Sequence, residues 1–164
     1  MTYSLGEIEA LCLKAARGAG FPWGLAEDAG RAVRWLEARG QNGAAALAGL
    51  LSATDGMPRD DNCPIAYGSA LADMPPVAPI SRPALLNPIL LEPFLAGTAT
   101  IRTDGLTLWI TPSDLPVPKA TQSRAALDQS LYMKLDKFAQ RTYAPATEAS
   151  RLAGAGTGGL TDND

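Results

Sequence analysis

Apolar positions over the first fifty residues recur at spacings of three and four, the mark of helices that bury one stripe. Leu5, Ile8, Leu11, Cys12, Ala15 and Ala16 make the first stripe. Ser4 and Glu7 fit an S-x-x-E capping box, in which each side chain satisfies the other residue's free backbone N–H. The pattern predicts a helix over 5–18 that stops at Gly18 or Gly20. Leu25, Ala29, Ala32, Val33 and Leu36 predict a second helix over 25–39, with Gly40 as its stop. Only residues 21–24 connect the two, so an antiparallel helical hairpin follows. Small residues at 26, 29, 30 and 32 permit close approach, whereas Trp35 lies off the stripe; Trp23 and Trp35 read as aromatics over the hairpin's open end. Ala44 to Ala53 reads as a short third helix with Leu47, Leu50 and Leu51 inward.

The pattern then changes. Residues 57–61 are polar and acidic, and Cys63 follows in a loop setting, beside Pro64 and ahead of a Gly68-Ser69 step. From Met74 to Pro93 there are prolines at 75, 76, 79, 83, 88 and 93, which rule out a central strand or a regular helix. This segment is expected to wrap the core and to include an edge strand. Two alternating runs, 98–103 and 106–111, flank Asp104-Gly105, the type I′ hairpin signature. Ile101, Leu106, Leu108 and Ile110 are expected inward and Trp109 outward. An isolated hairpin is marginal, so it must pair with the Pro-rich segment or pack on a helix. After a loop over 112–121, Leu127, Leu131, Leu135, Phe138 and Thr142 predict a long C-terminal helix over 123–142. The expected fold class is α+β: an N-terminal helical hairpin, a small antiparallel sheet and a long C-terminal helix with an ordered tail. One domain is expected, with a helical part over 1–53, a Pro-rich and hairpin part over 54–121, and a closing part over 122–164.

Composition narrows the chemistry. The chain has 164 residues, 46% of them apolar and 19% charged, within the globular range. A net charge of −3 without any Lys/Arg run argues against a nucleic-acid partner. No apolar run reaches the ~20 residues that span a bilayer, which argues against a membrane partner. Cys12 and Cys63 show no metal-ligand spacing, and the first residues lead into a capped helix rather than an apolar leader, so a cytoplasmic location with reduced thiols is expected. Histidine is absent. Ser-His and Cys-His dyads and His-ligated zinc are thereby excluded. Cys63 is the one nucleophile in a loop setting, but Asp60 and Asp61 beside it oppose a thiolate and only Arg59 favours one.

The end of the chain, Phe138 to Asp164, holds the residues that packing explains least. Gly154, Gly156 and Gly159 match G-x-G-x-x-G, but no strand precedes them and no helix follows, so a dinucleotide site is rejected. Asp162 and Asp164 supply carboxylate oxygens of the kind Mg²⁺ or Ca²⁺ uses, but they match no EF-hand pattern and read as an acidic chain end, so no metal site is expected there. Arg141, Tyr143, Glu148 and Arg151 form the main cluster. Two guanidinium groups can grip a carboxylate or phosphate, with Tyr143 as a further donor and Glu148 as a base. A second reading stays open, in which Pro145 and Gly154 punctuate helices, Glu148 pairs with Arg151, and Arg141 decorates a helix end.

Three stretches resemble an uncharacterised bacterial family known only as a domain of unknown function: SLGEIEALCLKAARGAGFPWGLAEDAGRAVRWLEARG, CPIAYGSALAD, and RTYAPATEASRLAGAGTGGLTDND. The resemblance implies no activity, substrate or cofactor. Residues 5–51 also resemble the N-terminal helices of the lactate/malate dehydrogenase family that lacks a Rossmann fold, but its Ser-His pair is missing at residues 39–43.

These observations point to a non-catalytic binding or accessory protein that uses its C-terminal stretch to hold a partner protein or a small anionic metabolite. The candidate ligand-binding residues are Arg141, Tyr143, Glu148, Arg151, Gly154 and Gly156; no cofactor is implied. The alternative is a small enzyme, or an enzyme subunit, acting on a carboxylate- or phosphate-bearing metabolite, with Tyr143 and Glu148 transferring protons.

Overall fold

A computed structural model describes residues 1–143. The order is β1 (Thr2–Ser4), α1 (Leu5–Gly18), α2 (Trp23–Glu37), α3 (Gly43–Ala53), α4 (Pro64–Asp73), β2 (Ile80–Pro83), α5 (Glu92–Leu95), β3 (Ala99–Asp104), β4 (Thr107–Pro112), β5 (Arg124–Ala126) and α6 (Gln129–Ala139). The class is α+β. Among the described residues no helix is long and apolar enough to cross a membrane.

The capping box forms as the sequence predicts: the Glu7 N–H donates to Ser4 Oγ at 3.2 Å and the Ser4 N–H to Glu7 Oε2 at 2.7 Å. α1 and α2 pack antiparallel, with Glu9 of α1 bonded to Arg34 of α2 at 2.8 Å. Gly30 marks their closest approach, since a Cβ there would lie 2.9 Å from the Glu9 carbonyl oxygen. α3, α4 and α6 complete a helical core around Ile8, Phe21, Leu36, Leu47 and Leu135, all buried. Glu37 is buried in this core at 6% exposure. Its Oε1 accepts the Ala44 N–H at 2.9 Å, so a side chain from α2 satisfies a free donor in the first turn of α3.

The second layer is the sheet β2-β4-β3, antiparallel throughout, with Ile80 and Ile101 opposite Ile110. Leu108 and Ile110 point onto Leu91 and Leu95, while Trp109 faces out, as the alternation predicts. Pairing of the hairpin with the Pro-rich segment is realised through β2, an edge strand.

Several local expectations are corrected. Gly105 has φ +56° and Asp104 does not have positive φ, so the loop residues are Gly105-Leu106 and the φ pattern is that of a II′ turn, with glycine first, rather than I′. Leu106 therefore sits at the loop tip, 88% exposed, and not inward. Residues 64–73, to which the pattern assigned no element, form α4 directly after Cys63; Pro64 occupies the first helical position, where its missing N–H costs nothing. The Pro-rich segment ends in a 3₁₀ turn at Pro88–Leu91 and the short α5, in which Pro93 is likewise tolerated in the first turn. The C-terminal helix starts at Gln129 instead of Ser123. Asp128 caps it by accepting the Leu131 N–H at 2.8 Å, and residues 124–126 pair with β1 instead.

Candidate functional site

The described part of the predicted site, Arg141 and Tyr143, follows directly on α6, and two hollows flank that helix. On one side, between α6 and α1, a hollow of about 320 Å³ is lined by Tyr3, Glu7, Leu11, Lys14, Tyr132 and Tyr143, among others. Tyr3 and Tyr132 stack there with centroids 5.3 Å apart and planes 12° apart. On the other side, between α6 and the end of α3, a wider hollow of about 680 Å³ is lined by Ser52, Asp55, Met133, Lys134, Lys137 and Arg141, among others. Asp136 lines both.

Lys134, Lys137 and Arg141 follow the 3.6-residue period, which brings all three cations to one face. Arg141 is set just past the end of α6, in a 3₁₀ turn over Gln140–Thr142. Its guanidinium lies over the Phe138 ring at 4.5 Å and donates to both carboxylate oxygens of Asp55, at 2.8 and 2.9 Å. This is the bidentate fork geometry of arginine with a carboxylate. The hydrogen bonds from Arg141 hold the Asp55 carboxyl below its ordinary pKa, and Asp55 in turn raises that of Arg141. Lys134 and Lys137 make no ion pair with any described carboxylate.

Arg141 and Tyr143 thus line different hollows, two residues apart in sequence. Tyr143 is 57% exposed at the mouth of the α1 side. Glu148, Arg151, Gly154 and Gly156 lie outside the described residues, as do Asp162 and Asp164. Among the described residues no three His, Cys, Asp or Glu side chains gather as a metal-holding group.

Cys63 takes the position just before α4 and is buried, which keeps its sulfur from a substrate. Arg59, the cation near it in sequence, instead stacks on Phe21 at 4.3 Å and donates to the carbonyls of Thr54 and Ala19, both at 2.8 Å. Both thiols are free. Burial pushes the Cys12 thiol far up. Trp23 and Trp109 reach the surface, with the guanidinium groups of Arg17 and Arg102 near their rings at 5.6 and 6.0 Å.

Sequence reasoning missed Asp55 as the partner of Arg141. It also missed Lys134 and Lys137, whose spacing with Arg141 was visible in the helical pattern.

Residues 3–74 match a family described as Protein of unknown function (DUF3726). The match runs from β1 through α4 and stops before the sheet. Two of the three stretches that carry the resemblance fall inside it, and the closing stretch 141–164 falls outside. No curated protein and no solved structure matches the chain.

Proposed function

We propose that the protein is a non-catalytic binding or accessory protein that holds a small anionic ligand, or an acidic group of a partner protein, on the face formed by Lys134 and Lys137 of α6 and Arg141 of the turn after it. The observation that carries this reading is the set of three cations lining one hollow, with the Arg141 fork already seated on a carboxylate. A ligand carboxylate or phosphate can exchange with Asp55, and two lysines beside it add favourable charge. Glu148, Arg151, Gly154 and Gly156 follow α6 in sequence, and the proposal keeps them as candidate contacts; Tyr143 lines the other hollow and is not among them. A cytoplasmic location fits small metabolites as ligands. The enzymatic alternative needs Arg141, Tyr143, Glu148 and Arg151 in one pocket; Arg141 and Tyr143 face different hollows, which favours the non-catalytic reading.

The test is thermal unfolding and titration calorimetry of the full chain with inorganic phosphate, pyrophosphate and citrate. A probe at one hundred times its Kd stabilises the folded state by about 2.7 kcal/mol. The double variant Lys134→Ala/Lys137→Ala is expected to keep its melting temperature without ligand and to lose the shift with it. A chain ending at Leu152 tests Gly154 and Gly156 separately. The reading fails if no probe shifts the full chain, or if the double variant binds as tightly.

A further inference from the structure

A third hollow lies between Trp35 of α2, α5, β3 and a strap of chain that follows β4. The strap, residues 113–122, is tied at both ends. The Ser113 N–H donates to the Thr98 carbonyl at 2.9 Å, and the Thr121 and Gln122 N–H groups donate to the Ala38 carbonyl at 2.7 and 3.0 Å. In between, Arg39 stacks on Trp35 at 3.7 Å and donates to the carbonyls of Pro118 and Trp35 at 2.8 and 2.9 Å. Gly97, at φ +82°, lets Val117 approach, since a Cβ there would lie 3.3 Å from Val117 Cγ2.

What remains beneath the strap is a space of about 230 Å³ walled by Trp35, Leu95, Ala99, Ile101, Leu115 and Val117. Leu115 and Val117 are 62% and 41% exposed, an apolar lip on an apolar hollow. One acidic side chain, Glu92, lines it. The Gln41 amide donates to Glu92 Oε2 at 2.8 Å, and Glu92 Oε1 takes no hydrogen bond from any described residue. Glu92 has no cation within ion-pair distance among the described residues, and the Arg39 guanidinium is engaged by the strap and by Trp35. This corner therefore holds a carboxylate with one oxygen unfilled and no cation beside it. A ligand with N–H donors and a positive charge supplies what is missing.

We propose that the hollow binds a small organic ammonium ion, an amine whose apolar body lies against Leu95, Ile101 and Val117 and whose N–H groups donate to Glu92. The volume falls below the roughly 300–1,000 Å³ of drug-sized sites, which limits the body to about an arylethyl or branched-alkyl group.

The proposal is tested on the full chain by NMR titration with 2-phenylethylamine, using 2-phenylethanol and phenylacetate as neutral and anionic counterparts. The amine is expected to shift the amides of Leu95, Gly97, Ser113 and Val117, with the alcohol binding about tenfold or more weakly and the acid not at all. Glu92→Gln is expected to bring the amine to the affinity of the alcohol, and Ala96→Leu, which fills the hollow, to abolish both. Equal binding of the three compounds, shifts mapping elsewhere, or unchanged amine affinity in Glu92→Gln overturns the proposal. So does sedimentation showing a dimer that buries Leu115 and Val117, because the hollow is then an interface between copies of this chain.

Discussion

Glu37 is a carboxylate held inside a helical core. Burial raises its pKa above the ordinary 4.5, and the N–H groups of Ala44 and Gly43 pull it partly back. Between the ordinary and the raised value the native state binds more protons than the unfolded chain, so the contribution of Glu37 to stability falls as pH rises through that window. Glu37→Gln keeps an acceptor without the charge. Its melting temperature is expected to gain on that of the parent as pH rises from about 4.5, the unfolded-state value. Glu37→Ala leaves the Ala44 N–H unsatisfied and should cost about 1–3 kcal/mol in urea unfolding. Nothing near Glu37 in sequence marks it as buried, because its place follows from α3 folding back onto the end of α2.

At the scale of elements, the α1–α2 contact was legible: the small residues at 26, 29 and 30 are the ones the approaching helix meets, and Ala26, Ala29 and Gly30 are buried. Gly30→Ala would press a methyl group onto the Glu9 carbonyl and should destabilise by about 1–3 kcal/mol. Gly6, on the exposed side of α1, is the control, since nothing lies within 4 Å of a Cβ there. Gly6→Ala should stabilise by about 0.5–1 kcal/mol, because alanine loses less backbone freedom in a helix. Opposite shifts in chemical denaturation check both. The start of α6 was less legible. Leu127 continues the helical stripe and is buried, but it is reached through β5, and a three-residue strand leaves no periodicity to read.

Across the whole molecule, contacts between distant residues close the structure. The amino terminus donates to the Leu127 carbonyl at 3.1 Å, and Arg141 reaches Asp55 across 86 positions. Asp55 has a pKa below its ordinary 3.8, so the stabilisation from the pair is present above that value and is lost as pH falls through the lowered one. Asp55→Asn is expected to lower the melting temperature at pH 7, with the difference from the parent shrinking once pH drops below the ordinary aspartate value. Salt should reduce the difference too, as the pair is partly exposed. If the variant instead binds citrate more tightly, Asp55 is a competitor for the Arg141 fork, as the proposed function requires.

The chain's own pattern determined the first three helices, the capping box, the position of the hairpin and the outward Trp109. These are local outcomes, set by residues a few positions apart through helical period, strand alternation and cap chemistry. Tertiary structure decided the rest: that residues 64–73 are helical, that 124–126 pair with β1, that Arg141 meets Asp55 while Tyr143 faces the other side of α6, and that a strap from 113–122 roofs a hollow beside Trp35. Each depends on which distant segment arrives at a given face, and that is settled by burial and by hydrogen bonds across the fold rather than by any spacing along the chain.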